Sequence, residues 1–136
     1  MLLTGIVYNV LLRQISLDQG TTVPWSNEVL HVVAPLFLLV DLFFAPGRSW
    51  LHWSSVFWVL VFPVVWIGYT LVRGSLVTSP RTGDPWWYPY PFLDPQLQGG
   101  YLGVALYIVG IAVAIVLLAW GVVAVGRVRA VIGSTA

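Results

Sequence analysis

Apolar residues in this chain gather into four runs, at residues 1–12, 27–44, 53–72 and 101–125, with polar or proline-rich stretches between them. Each approaches the ~20 residues that a helix needs to cross a membrane, except the first. Residues 1–12 cover only about 18 Å of a hydrocarbon core roughly 30 Å thick, so they predict a truncated span that continues upstream of Met1. Arg13 closes that run. The second run is interrupted by His31, Pro35 and Asp41, and the third carries Pro63 near its middle. Membrane helices tolerate proline where neighbours satisfy the freed carbonyls, so a kink is expected at each. The fourth run carries no charge. The pattern predicts an all-α fold: a polytopic transmembrane helix bundle of about four spans, forming one domain over residues 1–136.

The connections carry their own signals. Pro24, Trp25, Ser26, Asn27 and Glu28 read as an interface anchor followed by a helix start, with Ser26 or Asn27 as the N-cap. Glu28 there favours the positive end of the helix dipole. Residues 45–52 form a short turn around Pro46 and Gly47. Residues 73–100 hold Pro80, Pro85, Pro89, Pro91 and Pro95 among aromatics, which excludes a helix there. Trp86, Trp87, Tyr88 and Tyr90 suit the headgroup layer.

Composition sharpens the membrane reading. The chain is 59% hydrophobic and 8% charged, whereas a soluble domain averages about 25% charged residues. A net charge of +1 and the absence of any basic run exclude nucleic acid as a partner; membrane lipids are the expected one. Zero cysteines exclude disulfides, thiolate metal sites and a cysteine nucleophile. Four spans place both termini on one side with Arg48, Arg127 and Arg129. Arg13, Arg73 and Arg81 fall on the other with Asp18, Glu28, Asp84 and Asp94. Basic residues balance at three each, so the acids decide in favour of cytoplasmic termini in a cell-membrane protein.

An ionisable group inside a span is costly unless it faces the bundle interior and finds a partner. Asn27 and His31 share a helix face at i, i+4, and Glu28 is three residues from His31. An amide or carboxylate there would orient the imidazole as a general base, with Asn27 orienting it or stabilising charge. The alternative is an interface histidine bonded to loop backbone. No metal set is evident, since His52 falls at the opposite face, and no cofactor is expected. Asp41 is expected to pair with Arg48 across the Pro46–Gly47 turn, or to reach water, rather than to move protons. Asn9 and Thr4 read as helix–helix hydrogen-bonding groups. Gly103, Gly110 and Ala114 form a small-residue stripe, with Gly99 and Gly103 as a GxxxG pair, which predicts a helix-packing face and a possible partner helix.

Trp25, Asn27 and His31, then Pro35 and Asp41, then Tyr90-Pro91-Phe92-Leu93-Asp94 before the last run form an ordered set. Over roughly Pro24 to Arg127 this set resembles the androgen-induced membrane hydrolase family and its bacterial relatives. In that family Trp-x-Asn-x-x-x-His opens a span, followed by a proline and an acid. The resemblance implies a six-span bundle that hydrolyses lipid esters, notably fatty acid esters of hydroxy fatty acids, with a threonine nucleophile and an intramembrane histidine. The histidine corresponds to His31. The threonine belongs to an earlier span, and Thr4 does not match its motif. The resemblance therefore implies two further spans upstream, and predicts that this chain by itself is a poor hydrolase. Two other readings remain open: a non-catalytic scaffold, lipid-binding bundle or complex subunit, and a small transporter with His31 and Asp41 as relay residues.

Overall fold

Four helices carry nearly all of the apolar sequence. The computed structural model describes residues 1–13, 15, 23–44 and 50–133, with no strand among them. We name the helices α1 (Leu2–Leu12), α2 (Pro24–Phe44), α3 (Ser55–Gly74) and α4 (Tyr101–Gly133). α2, α3 and the Tyr101–Val131 part of α4 are long and apolar enough to cross a membrane, and α1 is a shorter apolar helix. About four spans in an all-α bundle is therefore the architecture.

α1 and α2 each contain one wide turn. In α1 the α-turns of Leu2–Val7 give way to π-turns over Tyr8–Leu12, closed by the Arg13 N–H on Tyr8 O at 2.8 Å. In α2 the π segment is Val29–Val33, after which the Ala34 N–H bonds back to Val29 O. The two wide turns face each other. α2 starts earlier than its polar signal suggests: Val23 is the N-cap and Pro24 the first helical residue, where proline's missing N–H costs nothing. Ser26 and Asn27 therefore lie inside the helix rather than capping it.

Pro63 breaks α3 rather than bending it. The helix divides into Ser55–Trp58 and Val61–Gly74, joined by a tight turn in which the Leu60 N–H reaches Phe57 O at 3.1 Å. Pro63 sits in the first turn of the second part, where a missing donor is tolerated. α4 has 33 residues, about 50 Å at 1.5 Å per residue, and runs past Val125 through both arginines. Those arginines hold other helix ends. Arg129 Nη1 donates to Leu42 O at 3.0 Å, near the C-terminal end of α2. Arg127 Nη1 donates to Leu51 O at 3.1 Å while its guanidinium lies 3.8 Å from the Trp50 ring centroid.

α4 packs along α1, the second half of α2 and the start of α3. The connection after α3 folds back onto this bundle: a 3₁₀ turn at Pro91–Leu93 inserts Leu93, which is wholly buried. Only 11% of the most apolar window of each long helix is buried within the chain. Much of the remaining apolar surface is exposed, as at Phe37, Val65, Leu102 and Leu117, an arrangement suited to hydrocarbon and unfavourable in water.

Candidate functional site

The polar residues of α1 and of the start of α2 meet in one cluster. Proline at position 35 has no N–H, so the carbonyl of His31, one turn earlier, lacks its usual helical donor. Asn9 of α1 supplies one: its Nδ2 donates to His31 O at 3.3 Å and to Gly5 O at 2.8 Å. Close approach makes this possible. A Cβ on Gly5 would stand 3.0 Å from His31 O and from the Pro35 ring, so glycine lets the helices meet at this level. Asn9 thus acts as the helix–helix hydrogen-bonding group its sequence context predicts.

The remaining partners differ from the sequence expectation. Asn27 and His31 do share a face, but the contact to the imidazole is the Asn27 backbone carbonyl, 2.9 Å from His31 Nδ1. The Asn27 side chain instead donates from Nδ2 to the Tyr8 hydroxyl. Glu28 turns to Arg13, with Oε1 3.0 Å from Nη2, and Arg13 Nη1 donates to Asn9 Oδ1 at 2.8 Å. That ion pair is nearly half exposed on both sides (47% and 44%), so it adds orientation more than stability. The Tyr8 and His31 rings lie 4.5 Å apart at 33°.

This geometry sets the histidine's tautomer. A backbone carbonyl only accepts, so Nδ1 carries the proton, and in the neutral ring Nε2 keeps its lone pair, the arrangement a general base requires. His31 also lines a cavity of about 340 Å³. Leu3, Thr4, Val7 and Tyr8 of α1, Phe62, Pro63 and Trp66 of α3, and Ile111 and Ile115 of α4 form its walls. Tyr90 and Phe92, stacked 5.3 Å apart at 7°, contribute from the folded-back connection. An apolar chamber with a few converging polar groups has the character of a small-molecule site. His31 and the Tyr90–Phe92 segment, far apart in sequence, are brought to the same chamber.

Other predicted residues fall elsewhere. Asp41 lines a second cavity, about 660 Å³, with Thr4 among its walls. The expected pairing of Asp41 with Arg48 lies outside the described residues. Gly99 stands in the turn before α4 with φ +67°, so Gly99 and Gly103 are not a helical GxxxG pair. Gly103 is small because a Cβ there would collide with the Gln98 carbonyl of the chain's own turn. Gly110 and Ala114 line an apolar groove beside α1. Among the described residues no group of three or more His, Cys, Asp and Glu is placed to hold a metal ion. Tyr8 is the residue whose part in the cluster was missed. Its signal was its place between Thr4 and Leu12, one helical turn from each on the same face.

Among the described residues the fold and cluster define an all-helical bundle, three of its helices apolar and of membrane length, with a polar α1–α2 seam beside a partly open apolar cavity. Compared with known proteins, the chain matches no family model, no curated protein and no solved structure.

Proposed function

We propose that this chain is a multi-pass membrane protein that binds a lipid ester in the chamber beside His31, with His31 as the general base for its hydrolysis. The observation that carries this reading is the His31 ring itself, held through Nδ1 on the Asn27 carbonyl in the wall of a mostly apolar cavity. A hydrophobic chamber with one oriented base suits an acyl substrate drawn from the membrane. The resemblance of Trp25, Asn27, His31 and Pro35 to the androgen-induced hydrolase pattern supports the same reaction class. The attacking oxygen would come from water or from the Thr4 hydroxyl, the aliphatic hydroxyl that lines the chamber.

A specific observation favours a second reading, a non-catalytic lipid-binding bundle. Tyr8, Asn9, Arg13, Asn27 and Glu28 are all engaged in bonds joining α1 to α2, which leaves them as seam rather than as donors to a developing oxyanion. One assay separates the two. Purified protein in detergent is given long-chain lipid esters, and turnover is compared with that of His31→Ala and Thr4→Ala. Hydrolysis by His31 predicts slow turnover that falls by about 100-fold or more in His31→Ala, the usual contribution of a general base. Dependence on Thr4 as well would identify the nucleophile. Turnover indifferent to His31 sinks the catalytic reading and leaves lipid binding.

A further inference from the structure

At the end of the bundle away from His31, four large side chains gather into one stack. Arg127 lies over Trp50 and Trp53, its guanidinium carbon 3.8 and 5.1 Å from the ring centroids. Trp53 in turn stacks on Trp120 at 5.8 Å and 26°. Trp120 and Arg127 are two turns apart on one face of α4. The indoles of Trp50, Trp53 and Trp120 are 52%, 42% and 57% exposed, so the stack stands on the surface of the bundle. Its level is set by α4. Residues 101–125 carry no charge and rise about 36 Å, more than a hydrocarbon core of roughly 30 Å. Arg127, the first charge beyond them, therefore emerges in the headgroup layer, where indole rings also settle.

We propose that Arg127 binds the phosphate of one anionic phospholipid, with Trp53 and Trp120 against the glycerol region of the same lipid. A guanidinium carries five N–H donors in one plane, and Arg127 uses one of them on Leu51 O. At contact distance over the Trp50 face, the guanidinium turns its donors sideways rather than into the ring. A phosphate accepts two such donors side by side, which fixes its position as well as its charge. Among the described residues no carboxylate stands within ion-pair distance of Arg127, so an anion from outside the chain is the fitting partner. An anionic lipid suits it better than a zwitterionic one, whose own ammonium would be brought against the guanidinium. Arg73 provides the contrast. It also lies over an indole, 5.3 Å from the Trp87 centroid, but beside a connection that carries Asp84 and Asp94.

Native mass spectrometry of the full chain in mild detergent tests the site, with dioleoyl phosphatidylglycerol and dioleoyl phosphatidylcholine titrated in competition. The first lipid bound should be phosphatidylglycerol, preferred about fivefold, which is the ~1 kcal/mol that one basic residue contributes at an anionic surface. Arg127→Gln should bring the preference close to one. Arg127→Lys keeps the charge and a donor for Leu51 O without the planar fork, and should lose most of the preference even if Arg127→Gln does not fold. Melting temperatures in phosphatidylcholine report which variants fold. Arg73→Gln should leave the preference intact, and inorganic phosphate should not displace the lipid. An unchanged preference in either folded Arg127 variant would overturn the site. An equal loss in Arg73→Gln would reduce it to bulk surface charge, and displacement by inorganic phosphate would replace the lipid with a free anion; either result overturns the proposal.

Discussion

Tyr88 shows how a single residue in the connection reports its docking. Its ring occupies the space a Cβ on Gly74 would need, and the neighbouring Trp87 N–H donates to Gly74 O at 2.8 Å, so the connection seats on the last residue of α3. Burial, then the hydrogen bond to Tyr101 and the charges of Tyr101 and Asp94, push the Tyr88 phenol up to about 12. An unfolded tyrosine ionises near 10. Below that pH both states hold the proton and no stability is lost. As pH rises from about 10 through 12 the unfolded chain ionises first, so the stability contributed by Tyr88 is lost over that window. The melting temperature in detergent should fall across it, and Tyr88→Phe should flatten the fall. A tyrosinate absorbance titration in which the Tyr88→Phe difference appears near the ordinary value would refute the docking argument. At Gly74 itself, Gly74→Ala should displace the Tyr88 ring and abolish the upward shift.

At the scale of elements, the seam between α1 and α2 works as a replacement for one missing backbone donor. Pro35 removes it and Asn9 restores it, which makes the two residues energetically dependent although they belong to different helices. Asn9→Ala removes the side-chain donor to the His31 carbonyl and should destabilise the protein by about 0.5–1.5 kcal/mol. Pro35→Ala returns an N–H to α2, so in that background the cost of Asn9→Ala should shrink. Unfolding by denaturing detergent, measured for the four members of the cycle, tests this; strictly additive effects would mean the Asn9 bond is incidental. Pro63 behaves differently for a positional reason. It lies in the first turn of a helical segment, where no carbonyl depends on it, and the chain makes a clean break before it.

For the whole molecule, the folded-back connection decides which parts share an end of the bundle. Tyr90 and Phe92 line the chamber with His31, and Asn27 is one turn away from His31 on α2. Cysteines introduced at Asn27 and at Tyr90 should therefore react with an impermeant thiol reagent from the same side of sealed vesicles. Reaction from opposite sides would exclude the arrangement. The other end is held by Arg127 and Arg129, whose bonds to Leu51 and Leu42 explain why α4 continues beyond the apolar run that marks it in the sequence.

The helices themselves were legible from residue order alone. Charge is scarce and apolar residues run in blocks of membrane length, and hydrocarbon solvent leaves such blocks few conformations besides helix. Pro35, Pro63, Asn9 and His31 were also identifiable, because a missing donor or a polar group inside an apolar run is a local property. Their partners were not. The Asn27 side chain turns to Tyr8, Glu28 turns to Arg13, and the imidazole takes a backbone carbonyl. Each of these choices depends on how closely α1 approaches α2. The small stripe on α4 looked like a surface for another helix, yet Gly103 is filled by the chain's own turn. The cavity that gathers His31, Thr4, Trp66 and Tyr90 has no sequence signature, since its walls come from separated helices and the folded-back connection and exist only once these have packed.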